Sequence, residues 1–457
     1  MDAVLDRLAS FAGGLRYEDL PADVVHAAKR TLVDSLGCAY GAYDSIPATI
    51  ARRLTESSVT ADGATILGTG VRTTADLAAF TNGVMVRYLD FNDTFESHGG
   101  GGHPSDYIPT VLAAAERTDA DGRAVITGIV IAYEIFCRMT DVTNFGMKQW
   151  DHVTNGAIAS ASAASALLGL DGEQTRNAIS MATVANVALQ ESRVGNVSMW
   201  KGCASANACR NGVFAALLAE QGITAPPTPF AGRAGFFKGV SGEFEAPELG
   251  GRSRPYSILS CDFKNYPSGY FSQTAIQAAV EVRAKLPSLA EIETIDVGTF
   301  PFGLQIMAGD DEKWHPKTRE SADHSLPYTV AAALLFGDLE VRHFDDERLV
   351  DPELMGLIRR VKVRPDPESE RVWPKTALNT VTVTTTDGMS YSAAVGHHRG
   401  HHKNPMTDTE LETKFEVQVN GRLSSAEITA LMETIWNLDH VEHVSELLAR
   451  TRLSATA

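Results

Sequence analysis

Apolar residues recur at spacings of three and four from the start of the chain to about residue 259, a period that predicts helices with one apolar face. Turns rich in Gly, Pro, Asp and Ser separate these segments. The predicted helices are residues 24–40, 75–89, 108–117, 123–139, 156–168, 173–187 and 203–220. We therefore expect this part of the chain to be all-helical.

The period changes further along the chain. Residues 292–300 alternate between apolar and polar, and residues 361–363 are short and β-branched, so both segments are predicted strands. The clearest hairpin joins residues 379–386 to 389–395 through Asp387 and Gly388. Predicted helices lie among and after these strands, at residues 272–285, 325–337, 351–358, 409–418, 425–437 and 443–451. The segment from about 265 to 398 is thus expected to be α+β.

The composition is that of a globular protein. The chain has 457 residues, enough for two or three domains, with 44% hydrophobic and 21% charged residues. Lys and Arg number 40 against 57 Asp and Glu, a net charge of −17, which repels nucleic acid and anionic lipid. We therefore expect no nucleic-acid partner, and a site for an acidic metabolite must collect its own cations locally.

The cysteines and the apolar segments bear on location. Five cysteines, odd in number and without a CxxC pair, suit a reducing compartment and give no zinc framework. The first helix is amphipathic rather than a signal peptide, and no apolar stretch reaches the roughly 20 residues that a membrane span requires. The sequence predicts a cytoplasmic protein with no membrane partner.

The densest polar cluster runs from Asp90 through Thr94 and a four-glycine loop to His103, Ser105 and Asp106. His103 is the best acid/base candidate, because imidazole titrates near pH roughly 6.5. Ser105 and Asp106 precede an apolar run and are candidates to cap that helix, leaving amide donors for an anion. The alternative is a capped helix after a solvated loop with no catalytic role.

A second cluster contains Arg193 and Lys201, just before a helix of small residues. Arginine binds a carboxylate with two parallel hydrogen bonds, and lysine supplies a point charge that stabilises a developing enolate. Removing a proton from a carbon next to a carboxylate requires both the binding of the carboxylate and the stabilisation of the enolate. The alternative is that these cations are solvated partners of nearby acids.

Two other polar runs have weaker chemical signals. The four histidines His397, His398, His401 and His402 do not have the spacing of a metalloenzyme, so adventitious affinity is expected rather than a metal site. His324 lies in a polar run that either ties the smaller domain to the larger one or contacts substrate. Motifs for nucleotide, hydride and serine-hydrolase chemistry are missing from the sequence.

The chain contains several long motifs, which are RYLDFNDT at 87–94, HPSD at 103–106, DHVTNG at 151–156, SMWKG at 198–202, ANACRNG at 206–212, ADHSLPY at 322–328 and KNPMT at 403–407. Together they resemble the MmgE/PrpD family, which is also called the 2-methylcitrate dehydratase family. The resemblance covers almost the whole chain and follows the order of the family's motifs.

The resemblance implies a mostly α protein with an α+β second domain. Residues 1–264, completed by 399–457, would form a large all-helical domain, and residues 265–398 a smaller α+β lid. It also implies a homodimer and cofactor-free chemistry on a small di- or tricarboxylate. Family members dehydrate 2-methylcitrate, decarboxylate cis-aconitate or epimerise iminodisuccinate. By matching motif, the family's active-site positions are those of Asp90, Thr94, His103 and Lys201.

The sequence departs from the family pattern at Phe271. Family members place a catalytic histidine around position 271 or 273, where this chain has Phe271 and Gln273. Either a second acid or base comes from elsewhere, with Tyr270, Lys264 and His152 as candidates, or the reaction differs from 2-methylcitrate dehydration. The expected substrate-binding residues are these three together with Arg193, Ser105 and Gln273. The sequence predicts a hydro-lyase acting on 2-methylcitrate or a similar hydroxy tricarboxylate. Alternatives are a decarboxylase, an epimerase or a non-catalytic carboxylate-binding protein.

Overall fold

A computed structural model describes residues 2–453 apart from 99, 146–147, 252 and 420. The helices of its first half are α1 Ala3–Gly14, α2 Ala22–Gly41, α3 Ile46–Thr55, α4 Ala75–Arg87, α5 Ile108–Thr118, α6 Gly122–Thr143, α7 Val153–Leu167, α8 Gly172–Ala185 and α9 Trp200–Glu220. All seven helices that the apolar period predicted here are confirmed, with ends that differ by a few residues. In the described part of the chain, no helix is long and apolar enough to cross a membrane.

The first half is not purely helical, contrary to expectation. Strands β1 Val59–Thr65 and β2 Arg72–Thr73 pair antiparallel, as do β3 Phe95–Ser97 and β4 Gly100–Gly102. Strands this short contain too few residues to show an alternation, and β4 consists of glycines, so the hydrophobic pattern carries no signal for it.

The expected cap of α5 is also wrong. A 3₁₀ turn, Pro104–Tyr107, precedes the helix, and no side chain caps its first turn. Ser105 and Asp106 instead accept hydrogen bonds of 2.8 Å each from the Asn92 side-chain amide. These residues therefore hold the preceding loop rather than the start of the helix.

The second half contains a four-stranded sheet with helices against it. Its helices are α10 Gln273–Arg283, α11 Pro301–Ala308, α12 Asp311–Trp314, α13 Arg319–Ala322, α14 Leu326–Phe336, α15 Asp346–Leu349, α16 Pro352–Ile358 and α17 Pro367–Val372. Its strands are β5 Ile292–Thr299, β6 Val361–Pro365, β7 Asn379–Thr385 and β8 Ser390–Val395, in the order β6-β5-β7-β8. The α+β expectation is confirmed for this segment. The predicted hairpin is β7 and β8, and Gly388 supplies the positive φ of 82° that its turn requires.

The tail returns to the helical part through α18 Asp408–Val419, α19 Ser425–Trp436 and α20 Val444–Arg450. Phe415 on α18 packs against Gly37 on α2, and the Lys414 ammonium donates a 2.6 Å hydrogen bond to Asp34. The apolar residues of the tail thus share one buried cluster with the first half, whereas a second cluster is confined to residues between 266 and 395.

A close helix contact positions the polar residues described next. A Cβ added to Gly83 on α4 would lie only 2.9 Å from the Ala206 Cα on α9. Because glycine has no side chain, the two backbones can approach at this point. The end of α4 is thereby brought beside the first turn of α9.

Candidate active site

Asp90 lies at the centre of the site, three residues after α4 ends. Its φ is +52°, in the left-handed region that a residue with a side chain rarely adopts. Its Oδ1 accepts a 2.8 Å hydrogen bond from Arg87 and also binds the Lys264 ammonium, while Oδ2 lies 3.1 Å from the Lys201 Nζ. Burial alone would raise the pKa of Asp90, but these three cations hold it well below its ordinary value.

A second acid and a histidine reach the same place from the other half of the chain. Asp323 and His324 lie between α13 and α14, and the Lys201 Nζ is 2.8 Å from the Asp323 Oδ1 and 2.9 Å from the His324 Nδ1. The His324 Nε2 lies 3.2 Å from the Asp90 Oδ2. Burial and the nearby Lys201 lower the pKa of His324 to about 4. The site is therefore assembled from both halves.

His103 lies near the other carboxylate oxygen of Asp90. Its Nδ1 lies 2.6 Å from the Asp93 carbonyl oxygen, a group that only accepts, so Nδ1 carries the proton and Nε2 presents a lone pair. The Nε2 is 3.8 Å from the Asp90 Oδ1, too far for a hydrogen bond. Burial, with Arg87 and Lys264, holds the pKa of His103 well below its ordinary value. His103 is oriented by the Asp93 carbonyl rather than by Asp90, and it can accept a proton at neutral pH.

The loop that carries His103 is held by buried hydrogen bonds. The Asp93 carboxyl accepts one of 2.7 Å from the Tyr133 hydroxyl and one of 3.1 Å from the Ser105 amide, and burial raises its pKa to about 7. The Thr94 hydroxyl donates to the Gly102 carbonyl oxygen at 3.2 Å. Thr94 and Ser105 thus support this loop in the present structure.

Arg193 and His152 form a neighbouring group around Asp151. The guanidinium donates to the Asp151 carboxylate at 2.8 Å and to the Lys201 carbonyl oxygen at 3.2 Å. The His152 Nδ1 is 3.0 Å from Asp151, and its ring centre is 5.7 Å from that of His103. Burial, together with Arg193, lowers the pKa of His152 to about 3 despite Asp151. Arg193 is therefore engaged by Asp151, and it contacts the backbone of Lys201 rather than Asp90.

Of the predicted residues Lys264, Tyr270 and Gln273, one contacts Asp90 and two bond to neighbouring parts of the chain. Lys264 is fully buried and donates to the Asp90 carbonyl oxygen at 2.9 Å. The Tyr270 hydroxyl donates to Asp262 at 3.1 Å. Gln273 is bonded on both sides of its amide to the backbone of residues 265–268. Among these, Lys264 alone is shown in contact with Asp90.

Phe271 lies in an aromatic cluster. Its ring centre is 5.4 to 5.6 Å from those of Phe300, Phe302 and Trp373, with the rings packed edge to face. The position where the family pattern has a histidine is therefore occupied by apolar packing.

The histidine run surrounds Asp262. The His402 Nδ1 lies 2.8 Å and the His401 Nε2 3.6 Å from the Asp262 carboxylate, and these three residues could hold a metal ion by their spacing. However, the His401 Nδ1 accepts a 3.0 Å hydrogen bond from the Lys403 amide, which leaves the proton on Nε2, where a metal would bind. The arrangement fits hydrogen bonding to Asp262. A second such group, Asp90 with Asp323 and His324, already surrounds the Lys201 ammonium.

Sequence comparison places the chain among known proteins. The model of the MmgE/PrpD N-terminal domain matches residues 6–248, and that of the C-terminal domain matches residues 266–438. The chain belongs to the MmgE/PrpD family. The family resemblance drawn from the motifs is thus confirmed.

Several relatives in this family align with the chain over most of their length. The chain is 30% identical over 399 residues to the 2-methylcitrate dehydratase of Cupriavidus necator, covering 82% of this chain and 81% of that protein. It is 29% identical over 432 residues to the 2-methylcitrate dehydratase of Salmonella typhimurium, with 89% and 88% covered. It is 24% identical over 483 residues to the cis-aconitate decarboxylase of Homo sapiens, with 98% and 94% covered.

Sequence reasoning found part of this MmgE/PrpD site and missed the rest. Asp90, His103 and Lys201 were singled out, and the structure brings them together. Arg87 was missed, although its position three residues before Asp90 at a helix end was an available signal. His324 was seen as a contact between the two parts of the chain or with substrate, and no spacing rule links it to Lys201, 123 residues away.

Proposed function

We propose that this protein is a cofactor-independent lyase that dehydrates 2-methylcitrate or a similar hydroxy tricarboxylate. The observation that carries the proposal is His103, a neutral imidazole whose Nε2 faces the Asp90 carboxylate, around which three buried cations are gathered. The names of the bacterial relatives support the substrate class. The acidic chain collects its cations here, as a site for a polyanion requires.

The chemistry follows from these charges. His103 takes the proton from the carbon next to a substrate carboxylate, and the electrons left behind spread onto that carboxylate. Lys201, next to Asp90 and Asp323, stabilises the charge that develops there. The carbon–oxygen bond then breaks, the departing hydroxyl takes a proton from an acid of the site and leaves as water, and a double bond remains. Arg193 and His152 border the site and are proposed to bind a second carboxylate, with Thr94 shaping the loop beside it.

Proton NMR in D2O tests the proposal. Chelator-treated protein is incubated separately with 2-methylcitrate, citrate and cis-aconitate, and unsaturated products, loss of carbon dioxide and solvent exchange are followed. An unsaturated tricarboxylate from 2-methylcitrate or citrate is the expected result. His103→Gln should abolish it, and His440→Gln, at an exposed histidine, is the matched control. A folded wild-type protein that leaves all three compounds unchanged would contradict the proposal.

Decarboxylation of cis-aconitate is the second candidate, and two observations favour it. Phe271 stands where the dehydratase pattern has a histidine, and a human relative is a cis-aconitate decarboxylase. The same NMR series decides between the two, because decarboxylation removes a carbon from cis-aconitate, whereas dehydration creates a double bond in a saturated acid. Epimerisation would appear as solvent exchange without either product.

We also propose that the protein forms a homodimer. Apolar side chains are exposed on one stretch of the helical part, at the end of α8 and the start of α9. Leu189 is 62% exposed and Trp200 50%, and both line a surface cavity of about 530 Å³ together with Val187. Exposed apolar groups concentrated in one region favour a protein contact there.

A further inference from the structure

We propose that His324 is a second proton carrier of this site and protonates the departing hydroxyl while His103 takes the carbon-bound proton. The inference rests on the proposed function and adds a catalytic residue to it. It also answers the question raised by Phe271, which removes a histidine from the expected set.

The two imidazoles flank one carboxylate. The His324 Nε2 lies 3.2 Å from the Asp90 Oδ2, and the His103 Nε2 lies 3.8 Å from the Asp90 Oδ1. The His324 side chain is 23% exposed and that of His103 10%, whereas Asp90 is 1% exposed. The imidazoles are thus the parts of this group that open towards a ligand, and the carboxylate lies behind them.

The hydrogen-bond partners assign opposite roles to the two rings. The His103 Nδ1 faces a carbonyl oxygen, so its Nε2 has a lone pair and acts as a base. The His324 Nδ1 lies 2.6 Å from the Asp323 carboxylate and 2.9 Å from the Lys201 ammonium, and the Nε2 lies 3.2 Å from the Asp90 carboxylate. An ammonium only donates hydrogen bonds, so the Nδ1 accepts from Lys201 and the single proton of the neutral ring is on Nε2. His324 is therefore built to donate.

Substrate supplies the charge that gives His324 a second proton. Burial and Lys201 lower the pKa of His324 in the free protein, so the ring there has one proton at neutral pH. A tricarboxylate entering the site brings negative charge next to the ring, and a nearby negative charge favours the imidazolium. The acid thus forms when the substrate is bound.

The proton balance closes over one turnover. The C–H bond breaks and its proton goes to the His103 Nε2, a carbon–carbon double bond forms, and the C–O bond breaks as its oxygen takes the proton from the His324 Nε2. His103 ends as the imidazolium and His324 as the neutral ring. After water and product leave, both rings exchange protons with solvent, which their partial exposure allows.

Phe271 does not compete for this role. Its ring is packed among Phe300, Phe302 and Trp373, and a phenyl group has no proton to transfer. His324 reaches Asp90 from the start of α14, so the second acid comes from a different element than the family pattern suggests.

The test compares two leaving groups. A hydroxyl needs a proton to depart, whereas fluoride does not. An analogue of 2-methylcitrate with fluorine in place of the hydroxyl can therefore undergo elimination without a general acid. We expect His324→Gln to lower water elimination by about 100-fold or more in kcat, the usual contribution of a general acid, and fluoride elimination by less than about 10-fold. His103→Gln should lower both reactions. His315→Gln, at an exposed histidine nearby, is the control and should lower neither.

Each outcome has one meaning. Selective loss of water elimination in a folded His324→Gln protein supports the inference. Equal loss of both reactions would show that His324 only positions Lys201 or Asp90, and no loss would show that it has no role; either result overturns the inference and leaves the lyase proposal standing. A wild-type protein that eliminates neither water nor fluoride would refute the proposed function first, and this inference with it.

Discussion

At the scale of single residues, the role of Asp90 depends on the charges that are buried around it. Asp90 is 1% exposed and compensates three cations at once, Arg87, Lys201 and Lys264. Removing one partner of a buried ionic group is costly because the remaining charges stay buried without compensation.

Asp90→Asn should therefore destabilise the fold as well as abolish turnover. We expect the free energy of unfolding to fall by about 3 to 5 kcal/mol, measured by urea denaturation. Asp62→Asn, at an exposed position of β1, is the control and should change stability by less than about 0.5 kcal/mol. An Asp90→Asn protein as stable as wild type would show that the cations are compensated by other groups.

The titration of the Asp93 carboxyl makes the free energy of unfolding depend on pH. Burial raises the pKa of Asp93 to about 7 in the folded protein, against an ordinary value near 3.8. The folded state therefore binds this proton more tightly than the unfolded state, so the stabilisation is complete below pH ~4 and is lost as the pH rises to about 7. By linkage the effect is on the order of 4 kcal/mol.

Asp93→Asn removes this titration and should flatten the profile. Unfolding measured between pH 4 and pH 8 should show wild type losing more stability than the variant as the pH rises. Parallel profiles for the two proteins would mean that Asp93 is already ionised in the folded state.

At the scale of elements, periodicity was a sound guide to helices and a poor guide to short strands. α2, α6 and α9 were predicted because each is long enough for the apolar spacing to repeat. β3 and β4 have three residues each, and pairing rather than pattern creates them. The site residues likewise differ in how well sequence predicts them. Asp90 and His103 lie close in sequence, whereas His324 is brought to them only by the tertiary structure.

The contact between α4 and α9 controls the distance between Asp90 and Lys201. Gly83→Ala would place a methyl group 2.9 Å from the Ala206 Cα, which forces the helices apart. We expect a loss of about 1 to 3 kcal/mol in stability and a lower kcat, measured by thermal unfolding and turnover. Gly13→Ala, in α1 with open space around it, is the control. Unchanged turnover in Gly83→Ala would show that the helix spacing does not set the site.

Phe271 belongs to the packing at the start of α10. Phe271→His would place a polar ring in an aromatic cluster, so we expect lower stability and no gain in dehydration, because His324 already supplies the acid. Phe302→His, at the more exposed rim of that cluster, is the control. A Phe271→His protein that dehydrates 2-methylcitrate when wild type does not would indicate that the natural substrate differs.

At the scale of the whole molecule, the exposed apolar residues predict an assembly. Trp200→Glu places a charge in the proposed contact, so we expect light scattering to give the mass of one chain instead of two. Val350→Glu, at an apolar residue exposed elsewhere, is the control and should leave the mass unchanged. A wild-type protein with the mass of a single chain would refute the homodimer.

The tail helix α18 connects the last part of the chain to the first part of the site. The Lys414 ammonium donates to the carbonyl oxygens of Phe91 and Lys264 at 2.8 and 2.9 Å, next to the residues that contact Asp90. During synthesis on the ribosome, these bonds can form only after residue 414 has emerged, which is long after Phe91 and Lys264. The newly made chain therefore passes through a stage in which α2 lacks its cover of Phe415, and we expect it to depend on chaperones until α18 has packed against α2.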